Sequence, residues 1–127
     1  MEKKVIATKD APQAIGPYSQ AILYGNLIFV SGQIPIDPKN GEIISGGIEE
    51  QTEQVLKNLE AILKTSNSSL KNVLKTTVFI TDLNNFGKMN KVYENSFKEN
   101  PPARSTVEVS RLPKEVLVEI EAIACIE

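Results

Sequence analysis

Two stretches of helical period and about six short runs of alternating or β-branched residues predict an α+β fold. The expected architecture is a six-stranded, mainly antiparallel sheet with two helices on one face, in the order β-β-β-α-β-α-β-β. The chain has 127 residues, a length that suits one domain over 1–127. Its hydrophobic fraction is 41%, and at this size roughly two thirds of the unfolded surface can be buried.

Taken in order, Val5 to Ala7 reads as a short first strand. Residues 8–19 carry Pro12, Gly16 and Pro17 and read as an extended loop. Tyr18 follows Pro17 there, either as a surface anchor or as a lid over a pocket. Gln20 to Tyr24 and Leu27 to Ser31 flank Gly25-Asn26, the pattern of a β-hairpin. The apolar run Leu27-Ile28-Phe29-Val30 suggests a strand covered on both faces. At Ser31-Gly32-Gln33 the glycine either lets a ligand approach the backbone or ends the strand. Pro35 to Gly41 is expected to be a turn-rich loop.

Gly46-Gly47 precede a helix over 48–65, whose stripe is Ile48, Val55, Leu59 and Ile62, widened by Leu56 and Leu63. Glu49, Glu50 and Glu53 lie early in it and Lys57 and Lys64 later, an order that complements the helix dipole. Lys71 to Ile80 holds the next strand. Thr81-Asp82 offers an N-cap for a second helix with the stripe Phe86, Met89, Tyr93 and Phe97. Asn90 flanks that stripe, as a helix-side amide or as a hydrogen-bonding group of a site. Val116 to Ile126 is the last and longest strand.

Between them lies Pro101-Pro102-Ala103-Arg104-Ser105-Thr106-Val107-Glu108-Val109-Ser110. Two prolines force an extended start, and the alternation that follows is a strand with Arg104, Thr106 and Glu108 on one side and Val107 and Val109 on the other. An arginine just past a rigid turn either ends in water or holds its planar fork ready for a carboxylate. In the last strand Glu119 and Glu121 share a face with Ile123, and Val118, Ile120 and Ala122 share the opposite one. Val107, Val109, Val118, Ile120 and Ala122 are expected to meet the helices. Arg104, Thr106, Glu119 and Glu121 are then expected on the other face, beside apolar residues. Such a face is too apolar for solvent and too charged for a private core, so an oligomer closing over it is expected. Arg104 and Glu119 would lie close, as a structural ion pair or as an anion clamp beside a carboxylate that handles water.

Composition excludes much chemistry. There are no histidines and one cysteine, so no histidine base, Cys-His dyad or Cys/His metal cluster is available. Cys125 fits a reducing compartment as a small core residue. The net charge of −2 gives no basic excess for a nucleic-acid or membrane partner. Met1-Glu2-Lys3-Lys4 leads into no long apolar run, so neither a signal peptide nor a membrane span is expected, and a cytoplasmic location is.

Several motifs together resemble the RidA (YjgF) family. They are Ala14-Ile15-Gly16-Pro17-Tyr18-Ser19-Gln20, Ser31-Gly32-Gln33-Ile34-Pro35, Lys75-Thr76-Thr77-Val78-Phe79-Ile80 with Asp82-Leu83, Pro102-Ala103-Arg104-Ser105 through Arg111-Leu112-Pro113, and Glu119-Ile120-Glu121-Ala122-Ile123-Ala124. The resemblance spans nearly the whole chain. It implies a chorismate-mutase-like fold assembled as a homotrimer, with clefts between subunits that hydrolyse 2-imino acids and their enamine tautomers to 2-oxo acids and ammonia. It implies no metal or organic cofactor. By the same resemblance Arg104 is the substrate-carboxylate clamp and Glu119 the residue that orders or activates water. Tyr18 is a wall of the cleft, Ser31 and Gly32 its floor, and Phe86 and Asn90 its rim or support. Thr106 is a departure, since similar family members most often carry cysteine there; backbone contacts at that position survive the change, a thiol role does not. Two other functions compete: a non-catalytic trimer sensing small carboxylates, and a ribonuclease or translation inhibitor, against which the acidic balance and missing histidines weigh.

Overall fold

In the computed structural model, which describes residues 1–127, one sheet carries six strands in the order β1-β2-β3-β8-β6-β7. These are β1 (Lys4–Ile6), β2 (Ala21–Tyr24), β3 (Leu27–Gln33), β6 (Val73–Ile80), β7 (Ala103–Glu108) and β8 (Val118–Cys125). All neighbours pair antiparallel except β6 and β7, which run parallel. A separate two-stranded ribbon, β4 (Ile36–Asp37) with β5 (Glu42–Ile43), begins inside the Pro35 to Gly41 segment expected to be a turn-rich loop and ends just after it. Helices α1 (Ile48–Thr65) and α2 (Phe86–Ser96) complete the α+β architecture. No helix is long and apolar enough to cross a membrane.

The elements form for local reasons. Gly25-Asn26 turns β2 back into β3, as the sequence predicts. Glu50 stabilises the start of α1: its Oε1 accepts the Gly47 amide at 2.8 Å. Gly46 has φ of +119°, and a Cβ there would overlap the Glu50 side chain. The α1 stripe expected from the sequence is fully buried. Asp82 does cap, but one turn earlier than expected: its carboxylate accepts the Asn84 amide at the head of a 3₁₀ turn, Leu83–Asn85, that leads into α2. Met89 and Tyr93 of α2 and Phe97 just after it are buried with Val55, Leu59, Ile62 and Leu63 of α1 against Ile28, Val30, Val78, Ile80, Val118 and Ile120 of the sheet.

The β7 face assignment needs correction. Val107 is 42% exposed rather than under the helices, and Val109 lies beyond the end of β7. Register explains this. Arg104 pairs with Thr76, which pairs with Ala122 on its other side; both are buried beneath the helices. Val107 pairs with Phe79, which pairs with Glu119. Partners across strands share a face and residues three apart do not. Arg104 and Thr106 therefore lie on the helix side, whereas Glu119 and Glu121 lie on the open side with Phe29, Phe79, Val107 and Ile123. An intrachain Arg104–Glu119 ion pair is ruled out. An edge strand with α2 beside it can put its polar residues inward, because α2 offers the arginine aromatic faces and an amide rather than a dry aliphatic wall.

Leu59 is fully buried in the shared core. Leu59→Ala is expected to lower unfolding free energy by ~2–5 kcal/mol, measured as a shift of the urea midpoint at unchanged slope. A loss below ~1 kcal/mol contradicts this packing.

Candidate functional site

The guanidinium of Arg104 is held from one side by α2. Its Nη1 donates to Asn90 Oδ1 at 2.8 Å. Its Cζ lies 4.8 Å from the Tyr93 ring centroid and 5.5 Å from that of Phe86, within cation–π range. Phe86, Asn90 and Tyr93 recur at helical spacing, so one face of α2 supplies all three contacts. Tyr93 is anchored in turn: its hydroxyl shares a 2.7 Å hydrogen bond with Thr76 Oγ1, and its ring lies 4.6 Å from that of Phe97. Burial pushes the Tyr93 phenol above its ordinary pKa, against the opposing effects of the Thr76 hydrogen bond and the Arg104 charge.

Arg104 is half-buried and has no carboxylate partner. The ion pairs of the chain are Lys57–Glu53, Lys64–Glu60 and Arg111–Glu115, all on the surface. A cation withdrawn from water without a counter-charge is an anion site in waiting. An open groove of about 930 Å³ passes Arg104, lined also by Asn90, Lys91, Pro101 and Pro102. Thr106, two residues along the same face, has a buried hydroxyl with no hydrogen-bond partner.

The second cluster is built where β3 meets β8. Regular pairing stops at Val30–Ala122 and resumes at Gln33–Ile120, leaving Ser31 and Gly32 in an irregularity opposite Glu121. The strand thus continues past Gly32, and the glycine has a steric purpose: a Cβ there would overlap Glu119 Oε2. Glu119 is half-buried, and burial, reinforced by the Glu121 charge, raises its carboxyl above the ordinary 4.5. Such a group takes up and releases protons closer to neutrality than a surface glutamate does.

The loop before β2 is fixed to this cluster. Ser31 Oγ donates to the Ser19 carbonyl at 2.6 Å, and the Ser31 amide donates to the Gln20 carbonyl at 2.9 Å. Gln20 is buried; its Nε2 donates to the carbonyls of Thr8, Ala11 and Pro12, and its Oε1 accepts the Thr8 amide. Tyr18, 53% exposed, projects from this stapled loop.

The expected site residues therefore fall into two groups. Arg104, Phe86, Asn90 and Thr106 gather around α2 and β7. Ser31, Gly32 and Glu119 gather at the β3–β8 junction, with Tyr18 on the loop tied to it. The sequence reading missed the parts played by Tyr93, Thr76 and Gln20. Tyr93 reads as one more member of an apolar stripe, and nothing in the spacing shows that its hydroxyl meets Thr76.

Comparison with known proteins adds a consistent picture. The family model described as endoribonuclease L-PSP matches residues 8–126. A RutC family protein of Pyrococcus abyssi is 60% identical over 124 residues, covering 98% of each chain. The human 2-iminobutanoate/2-iminopropanoate deaminase is 48% identical over 122 residues, 96% of this chain and 89% of that one. The crystal structure of E. coli TdcF with bound serine superposes with a TM-score of 0.93 at 46% identity, covering 98% of this chain and 99% of that one.

The raised Glu119 pKa has a consequence for stability. The folded protein binds this proton more tightly than the unfolded chain does. Its contribution favours folding fully below the unfolded value and is lost as pH rises through the higher folded value. Wild-type stability relative to Glu119→Gln is therefore expected to fall as pH rises from about 4.5, measured by denaturant titration at a series of pH values. A stability difference that does not change with pH refutes the raised pKa.

Proposed function

The chain belongs to the endoribonuclease L-PSP family, and we propose that it is a deaminase of reactive 2-imino acids, such as 2-iminobutanoate and 2-iminopropanoate. It acts as a single-domain cytoplasmic protein, assembled as a homotrimer with its sites between protomers. The observation that carries this reading is Arg104: half-buried, oriented by neutral groups, and lacking any carboxylate of its own chain. A 2-imino acid supplies that carboxylate. The relatives named as deaminases, about half identical over nearly the full chain, support the same substrate class.

The division of the site between two sheet faces supports the assembly. Arg104 and Glu119 of one chain cannot reach one small substrate. The Arg104 edge of one protomer facing the Gly32–Glu119 junction of another brings them together, and the exposed Phe29 and Val107 of the open face become buried in the same step. Tyr18, Ser31 and Gly32 then border the cleft from one side and Phe86, Asn90 and Thr106 from the other.

The chemistry asks little of the protein. The iminium carbon is already electrophilic, and fixing it in line with one water supplies much of the acceleration. Arg104 binds the carboxylate through its planar fork. Glu119 takes a proton from the water as its oxygen bonds to C2, giving a carbinolamine. Glu119 gives that proton to the amino nitrogen, then takes the proton of the C2 hydroxyl as the C2–N bond breaks and C2=O forms; ammonia leaves with this last proton as ammonium, and the 2-oxo acid is released. No step passes through a metal or cofactor.

TdcF binds serine in its crystal structure, which favours, as a second reading, a small-carboxylate sensor on the same Arg104 site. Endoribonuclease activity, the description given to the family, has less support: a net charge of −2 and the absence of histidine fit RNA cleavage poorly.

The deciding experiment is 2-oxobutanoate release from freshly generated 2-iminobutanoate, with semicarbazide trapping free imine. Arg104→Ala is expected to lose about 30-fold to several-thousand-fold in rate constant. Glu119→Gln is expected to lose turnover while keeping 2-oxobutanoate affinity. No acceleration by folded wild type overturns the deaminase reading and favours the sensor.

A further inference from the structure

We propose that Tyr93 is a positioning residue that sets the orientation of the Arg104 fork. This rests on the reading of Arg104 as the carboxylate clamp. Three observations converge on it. The Arg104 Cζ is nearer to the Tyr93 ring than to Phe86, 4.8 Å against 5.5 Å. The far end of that ring is pinned, since Tyr93 Oη and Thr76 Oγ1 share a buried 2.7 Å hydrogen bond. Thr76 is also the residue opposite Arg104 in the β6–β7 register. The strand neighbour of Arg104 thus holds the ring on which the Arg104 head rests, and the ring cannot swing away without breaking a buried hydrogen bond.

The choice of an aromatic face matters chemically. A carboxylate would orient a guanidinium but also neutralise it. A ring face orients it and leaves its charge for an incoming anion. Asn90 occupies Nη1 as a neutral acceptor, so most of the five donors stay free for a carboxylate. A phenol is neutral at about pH 7 in any case, and burial moves that of Tyr93 further from ionising, so no phenolate competes for Arg104.

The test uses two readouts on the full chain. The first needs no substrate. The chain has two arginines, and Arg111 is itself bonded through Nε–H to Glu115, so the Arg104 Nε–H signal in ¹⁵N NMR is assigned by its loss in Arg104→Ala. Arg104 Nε–H is expected to be ordered and shifted by ring currents in wild type, to keep part of both in Tyr93→Phe, which retains the ring but frees it from Thr76, and to lose most of both in Tyr93→Leu. An Arg104 signal that is disordered in wild type, or unchanged in Tyr93→Leu, overturns the proposal, whatever the enzyme does. The second readout is affinity for 2-oxobutanoate, with the KM and kcat of the imine reaction. Tyr93→Leu is expected to weaken binding and raise KM by roughly 2- to 30-fold with a smaller change in kcat. Tyr93→Phe should rescue part of that loss, the remainder being the share of the Thr76 hydrogen bond. In the Arg104→Ala background Tyr93→Leu should add nothing. Equal losses with and without Arg104 overturn the proposal by showing that Tyr93 only supports the fold. An ordered Arg104 in a wild type that releases no 2-oxo acid sinks the deaminase reading and leaves the positioning role standing.

Discussion

The alternation of side chains across a pleated sheet is the constraint on which the rest of this molecule depends. It places Arg104 with Thr76 and Ala122 beneath the helices, and Glu119 with Phe79 and Val107 on the open face. Moving β7 by one residue would bring Val107 inward and turn the guanidinium out, losing its contacts to Asn90, Phe86 and Tyr93 in one step. The pairing register is therefore also a chemical setting. It keeps the two ionisable groups of the proposed reaction apart in each chain, so a cleft holding both must lie between protomers.

Each half of the site is stiffened by groups outside it. On the β7 side, α2 does this with one stripe of three residues and a tyrosine anchored to β6. On the β3 side, Gln20 gathers the 8–12 segment with side-chain hydrogen bonds while Ser31 ties the following loop to the strand. Asn58 of α1 does similar work for the segment after Gln33, donating to the carbonyls of Ile34 and Ile36. These buried amides replace water for backbone groups that the sheet ladder leaves unpaired. A site exposed at the margins of a small domain thereby acquires fixed walls.

The sequence makes some of this legible and hides the rest for identifiable reasons. Both helices show themselves through their stripes, because 3.6-residue periodicity is local information. The β2–β3 hairpin is visible in Gly25-Asn26 for the same reason. The irregularity at Ser31-Gly32 is not: a glycine in a strand marks either an end or a bulge, and only the approach of Glu119 from another strand decides. The side of β7 that carries Arg104 is hidden too. Val107 and Val109 look like core residues by composition, and they would be under aliphatic cover. The aromatic and amide surface that α2 presents reverses that preference, and this depends on contacts between segments distant in the chain. The motif resemblance supplied the list of site residues, whereas the geometry divided that list in two.

The fit between Gly32 and Glu119 has an evolutionary consequence. Any side chain at position 32 must displace the Glu119 carboxylate from the place where it lies against that backbone. The restriction on position 32 is thus conditional. A lineage that shortened residue 119 first would open room for alanine or serine at 32, and that second change would then obstruct the return of glutamate. The two positions are thus coupled: a side chain at 32 fits only where the side chain at 119 is shorter or turned away.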